Sequence, residues 1–248
     1  MKEVVLGFVF CCVAAANGVA QTAAELLERV DRNENYGSIV YDGRMLIDYN
    51  GKRFVKTMKA WARGNSDSFI EFTNREDAGT KYLKKDGRLY VYSPDTEEVM
   101  LISGHMLKES MMGSDMSYED AVENETLSAR YTPVLAAAAA GPAVIGEKEC
   151  WVLDLTAKRR TESYPRQRLW IEKATGDLVR YELFALSGAK LKEYTLLRVE
   201  LIGNRRFPVE MEIRDLLRKG SKTTVTMSNV TLDQPVADSV FTTRNLER

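Results

Sequence analysis

The chain has 248 residues, with 35 basic and 36 acidic side chains and a formal net charge of −1. That length suffices for one large core, and the even charge balance supplies no global field that would recruit nucleic acid. A single histidine, His105, excludes a multi-histidine zinc site; no phosphate-cradling glycine loop occurs, so neither metal nor cofactor is expected.

The N-terminus reads as an export signal. Lys2 gives a short positive start, residues 4–16 form an apolar run, and Gly18-Val19-Ala20 places small residues before a cut after Ala20. The run is shorter than the ~20 residues that span a bilayer. Cys11 and Cys12 lie inside it and follow a large residue or another cysteine, which argues against lipidation. Cys150, beside Trp151 in a strand pattern, is then the only thiol left, and it reads as a small core residue.

A short helix follows, opened by the capping box Thr22-Ala23-Ala24-Glu25 and carrying Leu26, Leu27 and Val30 on its apolar face. The period then changes to two. Ile39, Tyr41, Met45, Ile47 and Tyr49 alternate with Asp42, Arg44 and Asp48, and Asn50-Gly51 marks a tight hairpin. The return strand, 52–63, carries Phe54 and Met58 on one face and Val55 and Trp61 on the other.

The stretch 86–120 holds the most information. Asp86-Gly87 suits a turn that needs positive φ, Leu89–Tyr92 reads as a strand, and Val99–Ser103 reads as its return partner. Beyond Gly104, Met106, Leu107, Met111 and Met112 form an apolar face at helix-like spacing. Gly113-Ser114-Asp115 ends that segment, and Ser117 caps a second short helix with Asp120 at its third position. Flexible thioethers adapt to ligands of varied shape, so the segment suits a cover over an apolar site, with Gly104 and Gly113 as its hinges.

This run, with its Gly113-Ser114-Asp115 and Tyr118-Glu119-Asp120, resembles the signature region of the outer-membrane lipoprotein-sorting proteins, a LolA-like family. The resemblance extends from about Ala23 to the C-terminus through Trp61-Ala62-Arg63-Gly64, Leu169-Trp170-Ile171, Phe207-Pro208 and the closing 238–242. It implies an open, strongly curved antiparallel sheet with short helices over its concave face and a hydrophobic cavity between them. It also implies a lipid or lipoprotein cargo, an inner-membrane transporter as partner and, as an option, an outer-membrane acceptor.

Between Glu125 and Gly146 the pattern weakens. Leu135 and the alanines after it look helical, whereas Tyr131-Thr132-Pro133 and Gly141-Pro142 suit extended structure or turns. The second half is a meander, with strand-like runs at 150–156, 168–172, 178–186, 191–201, 207–213 and 223–232. Phe207, Val209, Met211 and Ile213 alternate with Glu210, Glu212 and Arg214, which marks a sheet with one wet face. About eleven strands result. With no linker or repeat, the expectation is a leader over 1–20 and one mainly β domain over 21–248, an open half-barrel.

Three functions fit. One is a periplasmic carrier that holds acyl chains against Met45, Ile47, Phe54 and Met58 under Met106, Leu107, Met111 and Met112. The second is a lipid-acting hydrolase centred on Ser114 and His105, although no G-x-S-x-G elbow occurs and the Gly-Ser-Asp turn also serves as a helix terminator. The third is an accessory subunit of an envelope transporter. The basic cluster Lys158, Arg159, Arg160, Arg166 and Arg168 reads as a solvated loop, or alternatively as a contact for anionic lipid. Oligomeric state is left open.

Overall fold

The computed structural model describes residues 21–136 and 143–247. The expected leader, with Cys11 and Cys12, lies outside the described residues, as does most of the alanine run.

One antiparallel sheet organises the molecule. Its strands are β1 (Ser38–Tyr49), β2 (Lys52–Arg63), β3 (Asp67–Phe72), β4 (Lys81–Lys85), β5 (Arg88–Ser93), β6 (Glu98–Ile102) and β7 (Tyr131–Leu135). They continue with β8 (Val144–Ile145), β9 (Lys148–Ala157), β10 (Arg166–Glu172), β11 (Leu178–Phe184), β12 (Lys190–Ile202), β13 (Arg205–Asp215) and β14 (Ser221–Leu232). The order across the sheet is β6-β5-β4-β3-β2-β1-β14-β13-β12-β11-β10-β9-β7, with β8 pairing to β9. The sheet is curved and does not close.

Among the described residues, fourteen strands replace the eleven counted from the sequence; the additional ones are β4, β7 and β8. In β4, Lys81-Tyr82-Leu83-Lys84 is buried throughout, so its lysines mask a strand that alternation alone does not show. In β7, Pro133 lacks an amide donor and sits on an edge strand, where the loss is tolerated.

Local signals act as the chain requires. Asn50-Gly51 and Asp86-Gly87 both take positive φ at the two central positions, which turns β1 into β2 and β4 into β5 with the twist the strands need. Helix α1 (Ala23–Glu34) opens with the Thr22–Glu25 box, with Glu25 N–H donating to Thr22 Oγ1 at 3.2 Å and Thr22 N–H to Glu25 Oε2 at 2.8 Å. Leu26, Leu27 and Val30 are buried with Tyr131, Leu153, Leu155, Leu169 and Ile171, so α1 lies over β7, β9 and β10.

Both sheet edges, β6 and β7, belong to consecutive strands, so the chain must cross from one edge to the other between Ser103 and Arg130. This strap contains two single 3-10 turns, at Gly104–Lys108 and Met111–Gly113, then α2 (Tyr118–Val122) and α3 (Leu127–Arg130). It covers the concave face. The outer face of β3–β5 is covered instead by the C-terminal 3-10 turn Asp238–Phe241 and α4 (Thr243–Leu246), which bury Phe241 and Leu246 against Phe69 and Leu83.

The apolar segment of the strap is not one helix. Glu109 and Ser110 are extended, Met112 takes φ 54°, and Gly113 takes φ 75°. A continuous helix would run straight, whereas these angles let the chain follow the curved sheet. Cys150 is a buried free thiol, and burial pushes its pKa up.

Candidate functional site

Between the strap, α1 and the concave face lies a cavity of about 600 Å³. Met45, Met58, Leu183, Ile213 and Val225 of the sheet line it, and Met111 and Met116 of the strap face them. A second chamber of about 390 Å³, under Tyr36 and Phe207, shares Tyr181, Tyr194, Met211 and Met227 with the first, so the two adjoin. Tyr181 and Tyr194 stack at 4.2 Å with planes 9° apart, forming a flat aromatic wall common to both.

Asp31, Glu119, Asp120, Glu123, Glu125 and Arg130 also border the first chamber, and one further acid stands apart from these partnered groups. Glu34, at the end of α1, borders both chambers and has no partner side chain among the described residues. Its side chain is exposed to solvent, although protein atoms crowd around it on the cavity side. Loss of bulk hydration, with Asp31 nearby, pushes its carboxyl up to about 7.

The expected cavity residues divide into three groups. Met45, Met58 and Met111 line the first chamber. Ile47 is buried in the same apolar cluster, and Met106, Leu107 and Met112 pack against that cluster while remaining partly exposed. Phe54 does not join them. It faces Ile47 across the hairpin but sits close to the Asn50-Gly51 turn, 42% exposed.

The Gly113–Asp120 motif fastens the strap to the sheet. Asp115, 1% exposed, accepts from Thr223 Oγ1 at 2.6 Å, Ser221 Oγ at 2.9 Å and the Asp215 amide at 3.0 Å. Its own amide donates to Thr223 Oγ1 at 2.9 Å. Arg218 donates to the Gly113 carbonyl at 3.1 Å and also to the Ser114 carbonyl. Further on, Asp120 accepts from Ser117 N–H at 2.9 Å, Ser117 Oγ at 2.8 Å and Tyr164 Oη at 2.8 Å, and it is paired with the buried Lys192. Glu119 accepts from Ser163. Tyr118 stacks on Tyr82, the hydroxyl of which donates to Met112 Sδ at 3.0 Å. The strap's exit is held by Lys84, which donates to the Glu123 carbonyl; burial lowers its pKa to about 8.

These contacts give Ser114 a structural task. Its side chain is fully buried, Oγ donates to the Met111 carbonyl at 2.7 Å, and the same oxygen accepts from the Met116 amide at 3.2 Å. His105 is exposed and makes no hydrogen bond with it. A nucleophile needs its base within hydrogen-bond reach, and this serine spends its proton on a carbonyl. The basic cluster is largely engaged as well. Arg159 pairs with Glu125 and Glu162, Arg168 pairs with Asp154, and Lys158 donates to the Ser128 carbonyl. Sequence reading missed Glu34, Lys192 and the Ser221–Thr223 pair, because nothing local marks residues that meet only across the sheet.

Among the described residues, no three of the His, Cys, Asp and Glu side chains gather as a metal site, and no helix is long and apolar enough to cross a membrane. A family model described as an uncharacterized protein matches residues 64–248. The chain belongs to that family. No curated protein matches it. Among solved structures, a DUF1329 family protein from Desulfovibrio piger is 25% identical, with 90% of this chain and 97% of that one covered and a TM-score of 0.80. A domain described as that of an outer membrane lipoprotein-sorting protein from Vibrio parahaemolyticus is 19% identical over 91% of this chain and 98% of its own, at a TM-score of 0.78. A LolA superfamily protein from Nitrosomonas europaea is 20% identical over 91% and 100%, at 0.73. The fold is therefore LolA-like, the open half-barrel that the motif resemblance implies.

Proposed function

We propose that this chain is an exported periplasmic carrier that shelters the acyl chains of a lipid or lipoprotein and takes part in outer-membrane lipoprotein sorting. The observation that carries the reading is the apolar cavity of about 600 Å³ beneath the strap. Its volume falls within the roughly 300–1,000 Å³ typical of small-molecule sites, and each methylene buried there contributes about 0.8 kcal/mol. Affinity then comes from area, and no reactive group is required. The LolA-like fold and the lipoprotein-sorting name borne by the Vibrio parahaemolyticus relative support the same reading.

Met45, Met58 and Met111 contact the cargo, with Ile47, Met106, Leu107 and Met112 as the apolar surround. Residues 104–112 form the movable cover, and 113–120 form its fixed root. An inner-membrane transporter loads the carrier, and an outer-membrane acceptor unloads it. Mass spectrometry of lipid extracted from the purified protein tests the core of this reading. Intact acyl lipid in the cavity is expected. An empty cavity would favour an accessory subunit, and lipid cleavage products that vanish with Ser114→Ala would favour the hydrolase.

A further inference from the structure

The strongest feature outside the cavity lies at one end of the sheet. Three turns there stand side by side: the β1–β2 hairpin at 50–51, the β13–β14 turn at 216–220, and the β11–β12 turn at 185–189. Their adjacency follows from the pairing. Tyr49 faces Ser221, Lys192 faces Asp215, and the Leu216 amide donates to the Leu191 carbonyl at 2.8 Å.

These turns and the strand ends beside them project apolar side chains into water. Leu186 is 77% exposed and Leu217 is 74% exposed, with Leu216, Tyr49, Phe54 and Val55 also open. Single exposed leucines are common on protein surfaces, but two neighbouring turns that carry them, beside the exposed Tyr49, Phe54 and Val55, form a patch. Cations stand among them without acidic partners. Lys52 and Lys219 are exposed and unpaired among the described residues. Arg218 spends its donors on strap carbonyls and lies over the Tyr49 ring at 4.8 Å, so its charge also stays uncompensated. Arg53 is also exposed, but it is paired with Asp48 at 2.8 Å. This end is positive in a chain of net charge −1.

We infer that this end of the sheet docks on the surface of an anionic lipid bilayer, with Leu186, Leu217 and Phe54 entering the interface and Lys52, Arg218 and Lys219 at the phosphate level. Apolar tips on turns fit a soft interface, which closes around projections; a protein partner would need a matching hollow for each one. The flanking charges supply the long-range attraction to anionic headgroups that apolar tips lack. The surface is separate from the cavity, so the inference goes beyond the carrier reading. The docking turn also carries Arg218, which holds the strap at Gly113.

Co-sedimentation of the purified protein with vesicles provides the test, using phosphatidylcholine alone or mixed with phosphatidylglycerol. The protein is expected to bind the mixed vesicles, and to do so less as salt rises. Leu186→Ser with Leu217→Ser, and separately Lys52→Glu with Lys219→Glu, should each lower binding by roughly tenfold or more. Both double variants should unfold at the wild-type temperature and retain fluorescent fatty acid in the cavity, which separates docking from cargo binding. A dye on Leu217→Cys should shift to the blue on mixed vesicles as it enters an apolar medium. Wild-type protein that ignores mixed vesicles would overturn the proposal and leave the face to a protein partner. So would double variants that bind as well as wild type, or equal binding to phosphatidylcholine alone.

Discussion

The two halves of the strap are held by different forces. Residues 113–120 are fixed by polar contacts to β12, β13 and β14: a buried aspartate with three donors, a second aspartate paired with Lys192, and a guanidinium on main-chain carbonyls. Residues 104–112 meet the sheet chiefly through apolar contact, and of their large side chains only Met111 is buried. Their polar contacts gather at 109–112, where Arg218 donates to Ser110 Oγ at 3.1 Å and the backbone of 109–111 bonds that of 116–118. Hydrogen bonds demand one geometry, whereas apolar contacts accept many. One strap can therefore have a rigid root and an adaptable cover, and the boundary between them is the Met112–Gly113 pair with its positive φ values.

The largest effect should come from the root. Asp115→Ala would strand two buried hydroxyls and an amide, at a cost of about 3 kcal/mol. Urea unfolding should show that loss equally with and without cargo. A loss that cargo repairs would mean that the root moves too.

Lys84 tests the strap's exit. Its pKa is near 8 in the fold against an ordinary 10.5, so folding disfavours the proton between those values. The penalty is fully present below pH 8 and is relieved as pH climbs toward 10.5, so stability should rise across that window by up to about 3 kcal/mol. Lys84→Met should flatten the rise in a pH series of thermal unfolding. A variant as steep as wild type would remove Lys84 as the source.

The cover should respond more gently. Leu107 is half-buried, so Leu107→Ala should cost only about 1 kcal/mol without cargo, less than the 2–5 kcal/mol of a full core truncation. Its effect on lipid affinity should exceed its effect on stability. Hydrogen exchange sharpens the contrast: residues 104–112 should gain protection when lipid binds, and 113–120 should be protected in both states. Equal, high protection throughout would make the cover ordinary core. Smallest of all, Phe54→Ala should change stability by less than about 0.5 kcal/mol, since the ring is outside the cavity. A larger loss would return Phe54 to the interior.

Much of this architecture is written locally. The Thr22–Glu25 box, the Asn50-Gly51 and Asp86-Gly87 turns, and the alternation through Phe207–Ile213 depend on neighbours within a few residues, so they can be read without the fold. The motif at 113–120 is equally visible, and its resemblance to lipoprotein-sorting proteins points to the right fold. Its task is not visible, because Asp115 acquires meaning only when Ser221 and Thr223 arrive from more than a hundred residues away. For the same reason β4 hides behind its lysines, and the methionine segment has helical spacing without a helix. Burial of Lys81 and Lys84 is granted by partners elsewhere in the chain, and the path of 104–112 is imposed by the curvature of the sheet it crosses. Sequence by itself determined the turns, the caps and the β-rich class, which are short-range physics. Tertiary structure decided which side chains face the cavity, which of its acids goes unpartnered, and which half of the strap is fastened, because those depend on distances that no local pattern encodes.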